Sequence, residues 1–572
     1  KVYDYIVVGA GSAGGMLAMR LANYGFTTLL LEAGSEPEPN SWNITVPAFS
    51  TRASEDPKIA WDYFVKHYKE ETKLRQEVFY PRASGLGGCS LHHAQIAVYP
   101  QKRDFDLLYE LTGNDIFKEP LFREKYFKPL ENCNYPLQVS DKNDHGYRGW
   151  YPTSYSPLVR MLSSDKSLSK LLAFLGGDPT HDVNGYINGN VGTDSVGLFN
   201  IPSAVHQTNY TRMNYLGQLQ MARAFSPLTI LTDTLVSKVI FDKNKKAIGV
   251  NVYHGANLYK ASPLFDDNRS RQAVPNQFFA RNEVIISAGT FNTPQLLMLS
   301  GIGDKEELNK FNITTISDLK GVGKNLLDRN EIPYILKLEN DLPLFKDCFF
   351  SSNEYADRCF RQYKNEKNGA YLANSGVSGE IYKSNKYLNE PDIFIINTPV
   401  YFYGYYKGYS EEAVKNTRYF NRLILKAHTR SQGYVKLKSN DPRETPDINL
   451  LKFNIGGVED MNALITSIEY VRNRTREEVG EENVYEEVYP GKQYASRWQI
   501  AKWIAEITWG HHVCCTAKLG LDNDPMAVLD SRFRVRGVKG LRVMDMSALP
   551  DIPGFFPNLF IHMMGNVLGD FI

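Results

Sequence analysis

The chain opens with two short apolar runs separated by a helical pattern. Residues 3–8 (YDYIVV) are apolar and β-branched, which is typical of a buried parallel strand. Residues 15–24 carry apolar side chains at helical spacing, and Gly25 follows them as a C-cap. Residues 27–31 (TTLLL) predict a second strand. The pattern therefore predicts a strand–helix–strand unit of an α/β domain.

The same hydrophobic patterns of strands and helices recur in the middle of the chain. Residues 228–241 predict a long strand that returns, after a turn, at residues 247–253. Residues 283–287 (EVIIS) predict another strand, and residues 292–299 predict the helix that follows it. These segments extend the predicted α/β domain well beyond its first unit.

A glycine-rich turn joins the first strand to the first helix. Gly9, Gly11 and Gly14 have the spacing of a loop that allows a tight turn, close approach of a pyrophosphate and helix–strand packing. Glu32 ends the second strand, where an acid accepts hydrogen bonds from the ribose of an adenosine. In this strand–turn–helix context the glycines predict a dinucleotide site. Glu32 followed by Ala33 and glycine fits FAD better than NAD.

Composition excludes several classes of protein. Hydrophobic residues are 42% and charged residues 23% of the 572, as in ordinary globular proteins, and the length predicts two or three domains. The 65 basic and 64 acidic residues nearly cancel, so charge gives no reason to expect nucleic acid or an anionic membrane. No apolar run reaches the ~18–20 residues that would predict a membrane span.

The six cysteines are too few for a disulfide framework in a chain of this length. Cys514 and Cys515 are adjacent, and the other four are scattered. Cys348 and Cys359 could pair or stay free. The sequence does not indicate a cellular location.

Four further motifs are found along the chain: residues 80–90 (YPRASGLGGCS), 287–303 (SAGTFNTPQLLMLSGIG), 321–328 (GVGKNLLD) and 512–547, which begins HVCCTAKLG. They resemble the glucose–methanol–choline (GMC) oxidoreductases, which are FAD-dependent enzymes that oxidise alcohols. The resemblance extends along the chain, although the middle, roughly residues 331–500, matches only in general character. It also extends to the giant-virus members of the family, for which the implied location is the virion.

The resemblance implies a two-domain fold. One domain is an α/β, Rossmann-like FAD-binding domain assembled from discontinuous segments, and the other is an α+β substrate-binding domain with an antiparallel sheet. The FAD-binding segments are expected at residues 1–150, 203–330 and 505–572, and the substrate-binding segments at 151–202 and 331–504.

The FAD-binding residues expected from the motifs and the resemblance form one set. They are Gly9, Gly11, Ser12, Ala13, Gly14, Glu32, Ala33, Gly88, His92, His93, Val236, Asp545, Met546 and Pro557. The backbone of Val236 is expected to meet the adenine ring.

The stretch around His92 resembles the choline-oxidase branch of the family. There a histidine at this position is bonded to the 8α-methyl carbon of the flavin, so the resemblance implies a covalent link through His92. The alternative is a histidine that packs near the flavin without a bond. His93 stands in place of a common asparagine, and Ala94 in place of a polar or aromatic residue. No metal is expected, because adjacent side chains diverge and no cysteine or carboxylate set completes a site.

The resemblance places His512 at the catalytic histidine. An imidazole with a pKa near ~6.5 suits removal of the hydroxyl proton while the α-hydride goes to flavin N5. A one-residue slip would exchange His512 for His511. The family's second polar residue falls on Phe556, which cannot bind an alcohol oxygen, so Asn558 is the substitute expected if the loop has another shape. The alternative is that His512 works alone and the rate is lower.

The substrate region is marked by a dense aromatic stretch, residues 400–406 (VYFYGYY). It predicts a pocket for an aryl or other hydrophobic primary alcohol, with sheet packing or a contact in a homodimer as alternatives. The electron acceptor is O₂ or another oxidant. A different class of function is also open, a flavin-bearing structural protein with weak or lost turnover, because Phe556 replaces a polar residue.

Overall fold

The computed structural model describes residues 1–138, 141–162, 181–374, 376–415, 417–479 and 485–572. The expected substrate-binding segment 151–202 includes residues 163–180, which lie outside the described residues. Two seven-stranded sheets organise the described part of the chain.

The first sheet is built around strand Val2–Val8, which is largely buried and has a parallel strand on each side. It pairs with Thr28–Leu31 on one side and with the 13-residue strand Val274–Ile286 on the other. The strand order across the sheet is Leu228–Leu231, Thr28–Leu31, Val2–Val8, Val274–Ile286, Ala247–His254 and Thr234–Phe241, and Leu541–Val543 also pairs with Val274–Ile286. This mixed sheet confirms the predicted α/β fold of the first domain.

The strand predicted over residues 228–241 is interrupted. Leu228–Leu231 runs parallel to the strand Thr28–Leu31, whereas Thr234–Phe241 runs antiparallel to Ala247–His254. Between them Asp233 has a φ of 49°, in the left-handed region. An apolar run alone does not distinguish one long strand from two strands that bend toward different partners.

The helix Asn558–Phe571 packs against the helix Ser12–Asn23 that follows the glycine loop. A Cβ on Gly565 would lie 2.5 Å from the carbonyl oxygen of Ala13, so glycine allows this close approach. At the other end of the contact the Asp570 carboxylate accepts a hydrogen bond from Arg20 at 2.9 Å. The last helix is thus fixed against the first.

The second sheet is antiparallel, as the resemblance implied. Its order is Tyr485–Tyr489, Ile335–Leu338, Tyr419–Lys426, Ile393–Thr398, Ser378–Tyr382 and Gly197–Phe199, and Asn330–Ile332 also pairs with Tyr419–Lys426. The helices Gly457–Val479 and Arg497–Ile507 bury Ile468 and Trp503 in an apolar cluster with this sheet.

Shorter elements connect and surround the two sheets. In the described part of the chain, the remaining α-helices are Trp42–Thr45, Ser50–Ser54, Lys102–Thr112, Glu119–Phe122, Lys128–Leu130, Leu158–Leu162, Leu216–Phe225, Asp267–Arg271, Gly289–Leu299, Lys305–Asn309, Arg358–Arg361 and Tyr409–Lys415. The remaining strands are Ala60–Val65, Val78–Ala83, Glu131–Cys133, Tyr151–Tyr155, Tyr186–Ile187, Asn190–Val191, Pro202–Ser203, Ile302–Gly303, Ser317–Asp318, Tyr434–Lys436 and Asp447–Asn449. Among the described residues, no helix has the length and apolar character that crossing a bilayer requires.

Four of the six cysteines form two bonded pairs, and Cys89 and Cys133 are free. The sulfurs of Cys348 and Cys359 are joined, and so are those of the adjacent Cys514 and Cys515. The pairing of Cys348 with Cys359 was one of two alternatives open from the sequence. The Cys514–Cys515 pair lies two residues beyond His512 in the chain and is fully buried.

Candidate active site

A cavity of about 440 Å³ is lined by residues of both sheets. It joins the glycine loop to the segment that carries His92 and to the pair His511 and His512. Aromatic side chains of the segment after the strand Ile393–Thr398 also line it. Residues expected to bind a dinucleotide and residues expected to handle a substrate therefore share one space.

The glycine loop has no room for side chains at two of its three glycines. A Cβ on Gly9, whose φ is 102°, would lie 2.2 Å from the carbonyl oxygen of Ser287. A Cβ on Gly14 would lie 2.1 Å from the carbonyl oxygen of Gly9. At Gly11, in contrast, a Cβ would meet no heavy atom within 4 Å, so the backbone there is open to the cavity.

Glu32 organises the loop as well as facing the cavity. Its carboxylate accepts hydrogen bonds from the backbone N–H groups of Ala10 at 2.9 Å, Gly34 at 2.9 Å and Gly85 at 3.2 Å. Burial raises the pKa of Glu32, and these hydrogen bonds oppose that rise. One side chain therefore ties together three segments that line the cavity.

Two helix N-termini meet the cavity. The helix Ser12–Asn23 starts after Gly11 with no side chain capping its first N–H groups. The helix Gly289–Leu299 starts at Gly289, whose N–H donates to the Asp545 carboxylate at 2.9 Å. Free N–H groups and the helix dipole make the first of these a suitable site for the phosphates of a dinucleotide. At the N-terminus of the second helix, the Asp545 carboxylate already accepts the N–H of Gly289.

The segment after the strand Val78–Ala83 brings two histidines to the cavity. His92 and His93 both line it, and the Nε2 atom of each is buried with no hydrogen-bond partner among the described residues. Burial, followed by the charges of Arg82 and Arg212, lowers the pKa of His92 to about 3. His92 is therefore a neutral imidazole near pH 7, with a buried nitrogen available to a ligand.

The other expected cofactor residues also lie at the cavity. This set of lining residues comprises Ser12, Ala13, Ala33, Gly88, Val236, Met546 and Pro557. Gly88 has a φ of 52°, and a Cβ there would lie 2.6 Å from the Cα of Gly11. The loop of Gly88 thus packs directly on the glycine loop, which the separation of the two in sequence does not reveal.

The two histidines at 511 and 512 lie side by side, with ring centroids 4.3 Å apart. The Nδ1 atom of His512 accepts a hydrogen bond from Nε of Arg329 at 3.2 Å. The Nδ1 atom of His511 lies 3.4 Å from Oε1 of Glu331. Burial is the main cause that lowers the pKa of each histidine well below 6.5, and neighbouring cationic groups add to it.

Phe556 occupies the place beside His512 where the resemblance implied a polar group. Its ring meets the ring of His512 edge-on, with centroids 5.7 Å apart. Asn558 also lines the cavity, but its amide nitrogen donates to the hydroxyl of Tyr151 at 2.7 Å. The amide of Asn558 is therefore hydrogen-bonded to Tyr151, and the group that contacts His512 is the apolar ring of Phe556.

The aromatic stretch divides between two surroundings. Phe402 and Tyr405 line the cavity, and the ring of Tyr405 meets that of His511 edge-on, with centroids 5.0 Å apart. Tyr403 instead stacks on Tyr489 at 5.3 Å, and its hydroxyl donates to Glu412 at 3.1 Å. Both sequence-based interpretations, pocket lining and packing, therefore hold for different residues of the stretch.

Glu331, His511 and His512 offer nitrogen and oxygen atoms that all lie within 4.8 Å of one another. That spacing would suit a metal ion, but the Arg329 guanidinium sits against His512 and the Arg82 guanidinium donates to the carbonyl of His511. Two fixed positive charges disfavour a cation at this point. The arrangement is better suited to moving a proton.

Comparison with known proteins decides the family. Models described as GMC oxidoreductase match residues 182–331 and 429–565. An oxygen-dependent choline dehydrogenase from Staphylococcus epidermidis is 30% identical over 96% of this chain and 89% of its own length. The chain belongs to the GMC oxidoreductase family. A versicolorin B synthase from Emericella nidulans is 28% identical over 96% of this chain and 86% of its own.

The fold of this GMC oxidoreductase also matches solved structures. A formate oxidase from Aspergillus oryzae, studied for the effect of a mutation on its FAD modification, has a TM-score of 0.81 and 22% identity. The match covers 100% of this chain and 98% of that chain. FAD is the cofactor of this enzyme family, and the observed cradle fits it: the glycine loop leaves space for a pyrophosphate, and buried Glu32 faces the cavity.

Sequence reasoning missed two residues of this GMC oxidoreductase site, Arg329 and Glu331. Arg329 lies directly before the strand Asn330–Ile332 and Glu331 lies within it, and both are almost completely buried, at 0% and 2% exposed. Charged residues that alternate with polar ones just before an apolar strand were the available signal. They were overlooked because the family motif ends at Asp328.

Proposed function

We propose that this GMC oxidoreductase oxidises a hydrophobic primary alcohol, aryl alcohols included, to the aldehyde. The observation that carries the proposal is the placement of His511 and His512 in the same cavity as the dinucleotide cradle and beside Tyr405. A proton acceptor, an apolar surface and a redox cofactor are the three requirements of alcohol oxidation by hydride transfer.

The residues of this chain would act on the proton and on the position of the alcohol. Bound FAD supplies the hydride acceptor, and O₂ or another oxidant takes the electrons in a later step. His511 and His512 have lowered pKa values, so both are neutral near pH 7 and able to exchange a proton or hydrogen-bond with the alcohol oxygen. Phe402, Tyr405 and Phe556 line the cavity and exclude water from this region.

The lining supports the hydrophobic substrate class. Phe402 packs edge-on against Trp509 with ring centroids 5.4 Å apart, and Phe556 packs in the same way on Phe394 at 4.9 Å. Rigid aromatic walls favour flat or apolar alcohols, because such substrates leave no polar group unpaired on binding. A small, strongly hydrated alcohol would gain less from this surface.

The experiment is an anaerobic absorbance titration of the FAD-loaded protein with benzyl alcohol, cinnamyl alcohol, hexanol and choline. We expect the aryl alcohols to bleach the flavin band at lower concentration than hexanol, and choline to act poorly. Oxygen consumption by the reduced protein then separates an oxidase from a dehydrogenase. A flavin band that none of these alcohols bleaches would overturn the proposal.

A second candidate function, a flavin-bearing protein with lost turnover, is favoured by one observation. Phe556 puts an apolar edge against His512, and losing an electrostatic partner at such a position costs ~10²–10³ in rate. Family membership alone does not fix the reaction, since one relative is named a synthase. If the wild type is inert toward alcohols while Phe556→Asn gains alcohol-dependent bleaching, this second function is supported.

A further inference from the structure

The hydrogen bond from Arg329 determines how His512 can act. A guanidinium does not release its protons at working pH, so Nε of Arg329 is always a donor and Nδ1 of His512 must accept. Arg329 is held in place because its other end donates to the carbonyl of Pro553 at 3.0 Å and to that of Gly554 at 2.5 Å. A neutral His512 therefore carries its proton on Nε2.

The group that faces Nδ1 of His511 is a carboxyl oxygen, whereas the group that faces Nδ1 of His512 is a hydrogen-bond donor. The Nδ1 atom of His511 lies 3.4 Å from Oε1 of Glu331, and neither atom has a hydrogen-bond partner among the described residues. The backbone of Glu331 is fixed by reciprocal hydrogen bonds with Trp509, of 3.0 and 3.1 Å. Once ionised, the carboxylate in this position favours a proton on Nδ1 of His511, which leaves Nε2 with a free lone pair. Such contacts shorten when a substrate fills the site.

The geometry points to different roles for the two histidines. His511, oriented by Glu331, is the base that takes the hydroxyl proton. His512, held by Arg329, donates a hydrogen bond to the alcohol oxygen. This inference rests on the proposed alcohol oxidation. The hydroxyl proton moves to Nε2 of His511, the C–H electron pair leaves as hydride to the FAD, and the C=O bond forms.

This arrangement explains how the site tolerates Phe556. An alcohol oxygen needs one acceptor for its proton and one donor for its developing charge. The adjacent rings of His511 and His512, 4.3 Å apart, supply both roles from a single segment of chain. Position 556 is then free to be apolar and to support His512 from the side.

The ionisation of Glu331 should set the pH dependence of the reaction. Burial, and next the charge of Asp328, raises the pKa of Glu331 to about 8. Only the ionised carboxylate stabilises a protonated His511, so proton removal should speed up as the pH rises through that value. The groups that face Glu331 are Asp328, Arg329, Tyr405, Lys452, Trp509, His511 and His512.

The first test locates protons directly and does not depend on turnover. Neutron diffraction from crystals of the deuterated, FAD-loaded protein grown at pH 9 shows which nitrogen of each ring carries deuterium. We expect deuterium on Nδ1 of His511 and on Nε2 of His512. Deuterium on Nε2 of His511, or on Nδ1 of His512, overturns the inference whatever the enzyme does with alcohols.

The second test measures the limiting rate of flavin reduction by stopped flow with the best alcohol. We expect His511→Gln to lower that rate by ~10²–10³-fold, as loss of a general base does. Glu331→Gln should lower it by ~10-fold, leave the alcohol dissociation constant unchanged and abolish the rise near pH 8, and Glu331→Asp should restore part of the rise. His206→Gln, a half-buried histidine outside the cavity lining, is the matched control.

The outcomes separate this inference from the proposed function. If wild type is reduced by alcohols and His511→Gln is reduced equally fast, alcohol oxidation stands and the role of His511 is wrong. If alcohols never reduce the wild type, the proposed function fails, and the neutron map still decides the proton positions.

Discussion

Nε of Arg329 donates to Nδ1 of His512 across 3.2 Å, in a pocket where the arginine is fully buried. The contact joins the start of the second sheet to the segment that carries His511 and His512, and it places a fixed charge against an imidazole. That charge contributes to the low pKa of His512, after burial and His511. Arg329 therefore holds the two segments together and also lowers the pKa of His512.

We expect Arg329→Met to destabilise the protein by about 2–4 kcal/mol, because the carbonyls of Pro553 and Gly554 and the imidazole of His512 lose a buried donor. Thermal unfolding followed by flavin fluorescence measures the change. Arg329→Lys keeps the charge but not the fork of donors, so its melting temperature should lie between those of wild type and Arg329→Met. Identical melting of Arg329→Met and wild type would show that the contact contributes nothing.

Glu32→Gln should weaken FAD binding by ~10–100-fold, because hydrogen bonds to an ionised carboxylate are the stronger ones and this side chain holds Ala10, Gly34 and Gly85. The measurement is the ratio of flavin to protein absorbance after gel filtration at low protein concentration. Glu36→Gln, which removes an exposed pair with Arg223, is the matched control and should retain FAD. Full retention by Glu32→Gln would exclude Glu32 from cofactor binding.

His92 is the candidate for a covalent bond to FAD. Its pKa of about 3 keeps the ring neutral and nucleophilic at neutral pH, and its Nε2 is buried at the cavity without a partner. We expect acid precipitation to leave the flavin with the wild-type protein and to release it from His92→Ala. His93→Ala, whose ring accepts the N–H of Gln95 at 2.8 Å, should keep the bond. Release of free FAD from the wild type would exclude the link.

A buried triad outside the cavity predicts a pH dependence of stability. His145 lies between Glu131, at 2.9 Å, and Asp182, at 2.7 Å, and the two carboxylates, acting against desolvation, raise the pKa of His145 to about 12. The unfolded chain has an ordinary histidine pKa near ~6.5. The triad's contribution is therefore complete below pH 6.5 and is lost progressively as the pH rises toward 12.

We expect the melting temperature of the wild type to fall between pH 7 and pH 10, and that of His145→Gln to fall less over the same range. At pH 7 the variant should be less stable by about 3–5 kcal/mol, since two buried carboxylates lose their cationic partner. Differential scanning calorimetry at four pH values measures both effects. Parallel curves for the two proteins would assign the alkaline loss of stability to other groups.

The parts of this molecule that sequence could predict are those whose chemistry is local. Gly9, Gly11, Gly14 and Glu32 lie within one strand–helix–strand unit, and their spacing alone fixes their relation to each other. The adjacent pair His511 and His512 is likewise visible in sequence. For these residues the sequence already predicts that they lie close together, and the structure adds the distances between them.

The rest depends on contacts between distant segments. Arg329 and His512 are 183 residues apart in the chain, and no periodicity or motif predicts that their side chains meet. The same holds for Asn558: its place near the end of a known motif suggested a role beside His512, whereas the fold pairs its amide with Tyr151. Which of two adjacent histidines takes a proton is set by neighbours of this kind.

The packing of the helix Asn558–Phe571 on the helix Ser12–Asn23 has a consequence for biosynthesis. The glycine loop leaves the ribosome several hundred residues before the surface that supports its helix. Until then the first strand and helix lack both their last neighbour and the strand Leu541–Val543 that completes the sheet. Cofactor capture should therefore be a late, post-translational event, and a chain interrupted before residue 541 should emerge without flavin.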